Sequence, residues 1–427
     1  MKIRSMRLEN YRCFRKLSID FDDRLTVLVG VNGAGKTSVL DALSIFLRLS
    51  GEHITGSYTV HKVPVSDISF EGRQEGFAFQ LGVVSTINGK ASDEIVLVSM
   101  AQEQVKQGVK IVNHRMPTES FRQALEAEKP VFVAYMAGRI IDEKASVLKQ
   151  KPQSASIASA YASNFTRTID FSSTLSWFDK ADADEARHMR DSGERVEMPE
   201  LRAVREALSK ALLGRYERPT MRGNPPELLI YEKGTNHEYK ISQISDGYRA
   251  MLALVMDLAR RMAQSRGNGR ENDTKGTLLQ TPAVVLIDEV ELHLHPSWQQ
   301  TVLTTLLDIF PNTQFIVTTH SPHVLTSIPP KHLRILSDGK AYTFSEQTEG
   351  AEASRLLKGV FGVEQRPANL EIVRTLKEYS ELVYAEQWDT PRAEELKKVL
   401  VNHYGNDDPE LMMLDMHIDN RKWERGL

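Results

Sequence analysis

A lysine and a threonine stand side by side at the end of a glycine-rich turn, Gly30-Val31-Asn32-Gly33-Ala34-Gly35-Lys36-Thr37, with Ser38 next. The β-branched apolar run from Leu25 to Val29 leads in, and a helical pattern leads out. Strand, loop and helix in that order are the context that a G-x-x-x-x-G-K-[ST] phosphate-binding loop requires. Its glycines allow the backbone N–H groups of Asn32, Gly33, Ala34 and Gly35 to face a polyphosphate. The new helix N-terminus, with Ser38 in its first turn, adds partial positive charge there. Lys36 is placed to reach the β- and γ-phosphates, and the Thr37 hydroxyl to ligate Mg²⁺. The spacing predicts a nucleoside triphosphate site; ATP and Mg²⁺ are the expected cofactors. A glycine turn with a chance lysine would need neither the strand before it nor the helix after it.

A second set of residues could do the chemistry. The apolar run Ala283 to Ile287 closes in Asp288-Glu289. Unpaired carboxylates seldom sit at a buried edge for structural reasons alone. Asp288 is placed to hold Mg²⁺, and Glu289, one residue further, to polarise the attacking water. Between the two sites, Gln243-Ile244-Ser245-Asp246-Gly247-Tyr248-Arg249 opens a long helical pattern through Met251, Leu252, Leu254, Val255 and Leu258. After the acidic pair, Phe315 to Thr319 runs into His320-Ser321. By itself Ser245-Asp246-Gly247 is as consistent with a plain helix cap.

Taken in order, these motifs carry a resemblance. Ile244-Ser245-Asp246-Gly247-Tyr248-Arg249 resembles the signature of ABC-type ATPases, and His320 their switch histidine. The resemblance implies that Glu289, His320 and Lys36 are catalytic, and that Ser245 and Gly247 close over the nucleotide of a partner subunit. The opening text Leu8-Glu9-Asn10-Tyr11-Arg12-Cys13-Phe14 and the run Asp288 to Pro296 are similar to the RecF/SMC-like branch. These motifs cover roughly residues 1–60 and 225–335. They imply an α/β fold: an ABC-type ATPase head, with a phosphate-loop mixed sheet and an antiparallel lobe, plus a helical insertion and a helical C-terminal region.

Composition agrees with such a head. The chain has 427 residues, 41% hydrophobic and 26% charged, with a formal net charge of −3. No segment approaches the roughly 20 apolar residues that span a bilayer, and no uninterrupted apolar leader opens the sequence. The expectation is a cytoplasmic protein with no membrane part. One cysteine, Cys13, excludes an internal disulfide and suits a reducing compartment. The near-neutral charge gives no global attraction to nucleic acid.

The organisation reads as four parts: 1–144, an N-terminal ATPase lobe; 145–225, a helical insertion; 226–346, the C-terminal ATPase lobe; and 347–427, a helical partner-binding region. Strand candidates are Phe77 to Val84, Glu94 to Ser99, Val109 to Val112 and Val131 to Tyr135. Gln80, Gln102 and Gln104 are candidates for the glutamine that follows such a lobe; Arg139 reads first as a surface arginine after a strand and second as a nucleotide contact. Leu201, Val204, Leu208 and Leu212 share one face of a helix over 198–213. The insertion is too short and irregular for sustained heptads, so a long coiled-coil arm is excluded. Its arginines interleave with glutamates, which predicts a solvated, salt-bridged face. Helices are expected over 370–385 and 392–401. No TOPRIM-type acidic set follows the histidine, so the chain lacks the nuclease that related OLD proteins carry.

A lone head of this size, with the tail text Gly405-Asn406-Asp407-Asp408-Pro409-Glu410-Leu411, is similar to PtuA, the ATPase subunit of Septu anti-phage systems that also accompany retrons. That resemblance implies a homo-oligomer, at least a dimer, that regulates an HNH-type effector nuclease subunit, with nucleic acid (retron RNA or DNA, or phage DNA) as a further partner. Two alternatives stay open here: a RecF-like repair ATPase on duplex DNA, and a scaffold that uses nucleotide only to hold its dimer. The docking candidates are the acidic tail and the aromatic pair Trp177-Phe178, for which burial inside the insertion is the competing reading.

Overall fold

The computed structural model describes residues 1–56, 62–63, 67–68, 79–98, 109–114, 118–137, 140–141, 160–161, 168–169, 171–193, 197–212, 216–223, 227–235, 237–244, 246–266 and 278–426. Strands β1 (Lys2–Tyr11) and β2 (Phe14–Asp20) form a hairpin and lead into β3 (Leu25–Val29). Then come β4 (Lys62–Val63), β5 (Gln80–Ile87), β6 (Lys90–Val98), β7 (Val109–His114), β8 (Val131–Tyr135), β9 (Ile140–Ile141) and β10 (Thr168–Ile169). The second half supplies β11 (Tyr216–Arg222), β12 (Glu227–Glu232), β13 (Glu238–Lys240), β14 (Ala283–Ile287), β15 (Thr313–Thr318), β16 (Leu333–Ser337) and β17 (Lys340–Thr343).

Two six-stranded sheets dominate. One runs in the order β17-β16-β3-β15-β14-β8, and all its neighbouring pairs are parallel except β16 with β17. Strands β3, β8, β14 and β15 are buried at every position. Strands covered on both faces read as continuous apolar runs instead of alternating ones, and Leu25-Thr26-Val27-Leu28-Val29 and Ala283-Val284-Val285-Leu286-Ile287 do so. The register sets the site. Leu28 pairs with Thr318, and Ile287 pairs with both Val317 and Tyr135. The residues after β3, β14 and β15 therefore leave the sheet along one edge.

The other sheet, β2-β1-β5-β6-β7-β4, is antiparallel. Strand β5 alternates half-buried and buried residues, as a strand with one solvated face should. It covers Gln80–Ile87, displaced toward the C-terminus from the expected Phe77 to Val84. A shared core joins this sheet to helix α1 (Lys36–Thr55) through Ile3, Leu8, Phe14, Val39, Phe46 and Leu81. Truncating a fully buried aromatic such as Phe46 to alanine costs about 3–5 kcal/mol.

Helices α2 (Phe171–Ser192) and α3 (Pro199–Ala211) lie in the stretch read as an insertion, and helix α4 (Asp246–Ser265) follows β13. Leu201, Val204, Leu208 and Leu212 are all buried. Trp177 and Phe178 are 8% and 0% exposed, so neither is available as a docking anchor. Arg205 is held by Asp182, Glu185 and Glu197, a salt-bridged face among the described residues of this stretch.

By its internal contacts the chain forms two compact units, Met1–Leu356 and Leu357–Leu427. In the second, three helices over Glu371–Tyr384, Pro391–Tyr404 and Pro409–Glu424 close on Leu376, Tyr379, Val383, Leu396, Leu400, Leu411, Leu414 and Ile418. The third helix lies within the stretch expected to be helical, although the sequence reading gave it no bounds. Its start is nevertheless local: Asp408 accepts the backbone N–H groups of Glu410 and Leu411, and Pro409 occupies the first helical position.

Candidate nucleotide site

The loop after β3 turns into α1 through Gly35, which adopts φ 95° and caps the helix without any side-chain partner. A β-carbon there would collide with the Phe14 ring and come within 2.7 Å of Cys13 Sγ. The tight approach explains why this position takes glycine, and it leaves the first amides of α1 for an incoming anion. Lys36 is only 6% exposed. Its ammonium donates to the carbonyls of Gly30 at 2.8 Å and Val31 at 3.1 Å. Burial pulls its pKa below the ordinary lysine value, and the negative charges of Asp288, Glu289 and Glu291 oppose that pull. Asn32 and Gly33 are exposed, whereas Ala34, Gly35 and Ser38 are half-buried.

Opposite the loop, β14 delivers Asp288, which is 1% exposed. Thr37 Oγ1 donates to Asp288 Oδ2 at 2.9 Å, across 251 residues of sequence. Thr318, at the end of β15, donates to Asp288 Oδ1 at 2.6 Å. The same Thr318 oxygen accepts the Glu289 N–H at 2.8 Å. Glu289 itself has φ 49°, a left-handed conformation that a non-glycine residue adopts only when its surroundings impose it. Here the Thr318 hydroxyl and the bond from Val290 N to Thr318 O at 3.0 Å impose it. His320 follows, its backbone N–H donating to Glu291 Oε1 at 2.6 Å. Lys36, Thr37, Asp288, Glu289 and His320 are thus brought to one sheet edge.

Gly247 lies elsewhere, in the first turn of α4. A β-carbon on it would stand 2.7 Å from the His293 carbonyl oxygen, so the signature turn is packed directly on the segment that follows Glu289. Gly247, Tyr248, His293, Leu294, His295 and Trp298 help line a cleft of about 550 Å³, with Tyr248 and Trp298 edge-to-face at 4.4 Å. Ser245, Arg139, Gln102 and Gln104 lie outside the described residues. Gln80 pairs with Glu9 and Leu97 within the antiparallel sheet.

Comparison with known proteins gives a consistent result. Residues 1–104 match the family described as "AAA ATPase domain", and residues 115–326 match "AAA domain, putative AbiEii toxin, Type IV TA system". The chain is 27% identical to the "Retron Ec83 probable ATPase" of Escherichia coli, covering 99% of this chain and 88% of that protein. It is 24% identical to the "Retron Vc95 probable ATPase" of Vibrio cholerae, covering 95% and 88%. A shorter match, 34% identical over 28% of this chain and 14% of the relative, is to the Septu protein PtuA of Bacillus mycoides. The chain is thus similar to ATPases of retron and Septu systems.

Three polar groups on or behind this edge escaped the sequence reading. Thr318 and Glu291 bond to partners about thirty positions away, and only the β14–β15 pairing brings them together. The repeated threonine at the end of β15 was the available signal for the first. The third is Asp257, at the hub of a buried polar cluster on α4. It accepts from Tyr135 Oη at 2.9 Å, Arg260 at 2.7 Å, Arg261 at 2.7 Å and Thr174 at 3.3 Å. Burial alone would raise its pKa; Arg261 and Arg260 outweigh that and hold it well below the usual carboxylate range. Tyr135 also accepts the Asp288 N–H through its carbonyl at 2.8 Å, so α4 is tied to the strand end that carries Asp288.

The residues present fit a magnesium nucleotide. A hydroxyl and a carboxylate face each other at 2.9 Å, which are the hard oxygen donors Mg²⁺ prefers. Lys36 is held back on main-chain carbonyls, which a phosphate would replace as a stronger acceptor. Among the described residues no helix is long and apolar enough to cross a membrane.

Proposed function

We propose that this ATPase hydrolyses ATP with Mg²⁺ in a head-to-tail dimer or larger oligomer, and that its nucleotide state restrains an HNH-type effector nuclease in anti-phage defence. The observation that carries the hydrolytic part is the Thr37–Asp288 contact, flanked by Lys36 on one side and Glu289 on the other. In this reading Asn32, Gly33, Ala34, Gly35 and Ser38 offer backbone and side-chain donors to the phosphates. Lys36 moves from the Gly30 and Val31 carbonyls to the β- and γ-phosphates. Thr37 and Asp288 would hold Mg²⁺, which would supply positive charge against the phosphates. Glu289 accepts the proton of the attacking water as the bond to the leaving ADP oxygen breaks, and His320 orients the γ-phosphate. In the same reading Ser245 and Gly247 act on the partner's nucleotide, so each site needs two heads. The retron and Septu names of the relatives support a defence role.

The test is a pair of variants measured side by side. Lys36→Ala is expected to lose nucleotide binding, and Glu289→Gln to keep binding but lose turnover. Wild-type protein that bound no nucleotide in any oligomeric state would sink the reading. Purification from the native gene cluster tests the partner. An ATPase that emerges without a nuclease, yet holds duplex DNA at physiological salt, would favour a repair factor instead.

A further inference from the structure

Glu291 is the carboxylate of this edge to which the reaction above gives no task. It stands three residues after Asp288 and contributes to the negative field at Lys36. Its two oxygens differ. Oε1 accepts the His320 backbone N–H at 2.6 Å, and Oε2 is enclosed without any hydrogen-bond partner.

The surrounding backbone explains what the first contact does. The parallel ladder between β14 and β15 ends at Ile287 and Val317. One more main-chain bond, Val290 N to Thr318 O, ties the two exits together. Beyond Thr318 the chain turns through Thr319 to His320, and Ser321 is fastened separately, through its N–H to Thr319 Oγ1 and its hydroxyl to Gln299. His320 N–H has no ladder partner left, and the Glu291 carboxylate takes that place.

We propose that Glu291 is a positioning residue for His320: its side-chain oxygen replaces the missing strand partner and fixes the backbone from which the imidazole is presented. The role rests on the reading of this site as hydrolytic. It requires an acceptor at that point in space and not a negative charge or a transferable proton. Glu291 therefore differs from Glu289, for which the proposed task is to take a proton. A neutral amide of the same length keeps the acceptor; a shorter carboxylate keeps the charge and withdraws the oxygen by one methylene.

The experiment is the crossed pair Glu291→Gln and Glu291→Asp. Amide hydrogen exchange over residues 318–322 is followed in the nucleotide-free protein, and kcat and KM are measured with ATP. Glu291→Gln is expected to keep the His320 amide protected and kcat within about twofold of wild type. Glu291→Asp is expected to lose that protection and to lower kcat roughly tenfold at unchanged KM, the effect of one lost hydrogen bond to a charged group. Adding Glu291→Asp to His320→Ala should then cost nothing further, because both act through the same imidazole. Unfolding midpoints of both variants guard against a general loss of structure. The reverse pattern, an active aspartate and an inactive glutamine, overturns the proposal, as does equal protection in all three proteins. Wild-type protein without turnover would defeat the hydrolytic reading alone, since the exchange measurement needs no nucleotide.

Discussion

Thr318 gives its hydroxyl hydrogen to Asp288 at 2.6 Å and takes the Glu289 N–H at 2.8 Å, so one side chain on β15 orients the two adjacent acidic residues that follow β14. Asp288 is otherwise held through the Thr37 hydroxyl and the sheet backbone.

Thr318→Val keeps the shape and removes both bonds. The enclosed Asp288 oxygen then loses a donor, a loss of about 1–3 kcal/mol of stability. Turnover should fall at least tenfold while ATP binding changes little, and Thr318→Ser should restore most of it. Denaturant unfolding and steady-state kinetics on the three proteins check this. A valine variant with normal kcat would show that the threonine is dispensable.

Gly247→Ala should separate the start of α4 from the His293 turn, because the added methyl stands 2.7 Å from a backbone oxygen that no rotamer change can move. The expected result is a strong drop in ATP turnover with nucleotide binding to the Gly30–Thr37 loop retained. If sites are shared between subunits, mixing Lys36→Ala chains with Gly247→Asp chains should recover about one working site per mixed dimer. Mixtures no better than either parent would argue against shared sites.

Asp257→Asn should destabilise by about 3–5 kcal/mol, since it strands the buried Arg260 and Arg261 guanidinium groups. Tyr135→Phe removes one hydrogen bond and should cost about 1 kcal/mol. The pH dependence follows from the direction of the Asp257 shift. A carboxylate whose pKa is depressed on folding contributes in full above its unfolded value of about 4, and that contribution fades as pH falls further toward the native pKa. Unfolding free energies of wild type and Tyr135→Phe should therefore run parallel from pH 5 to 8. A difference between them that titrates within that window would contradict this account.

The last helix carries an apolar face with nothing over it in the described chain: Met412, Met413 and Met416 are 51–62% exposed and Trp423 is 82% exposed. Methionine and tryptophan are favoured in interface cores. Met416→Glu combined with Trp423→Ser should leave ATP turnover and the unfolding midpoint unchanged while abolishing copurification of the partner. Retention of the partner would move the search for its binding surface to the head.

Much of the fold was legible because its signals are local. A glycine-rich turn between a strand and a helix, a five-residue apolar run ending in two carboxylates, and helix stripes such as Leu201, Val204 and Leu208 each declare an element within a few residues. The tail was expected to be helical throughout, but only two of its three closing helices could be given bounds; in the one beginning at Pro409, Met412, Met413 and Met416 on the outer face blur the polar–apolar period. Trp177 and Phe178 illustrate the converse, since an aromatic pair in sequence does not say which way it faces.

What the sequence determined by itself is the kind of chemistry available: a lysine and hydroxyl after a flexible loop, paired carboxylates at a strand end, a histidine after another strand. Those depend on covalent neighbours and on local backbone preference. What only the tertiary structure decided is which groups touch. Thr37 meets Asp288 across 251 residues, Thr318 reaches back to the acidic pair, Glu291 grips His320, and Tyr135 joins α4 to the strand end before Asp288. Each contact exists because the parallel register of β3, β15, β14 and β8 brings four distant strand ends into line. Hydrogen bonds reach only about 3 Å, so no spacing along the chain can stand in for that alignment.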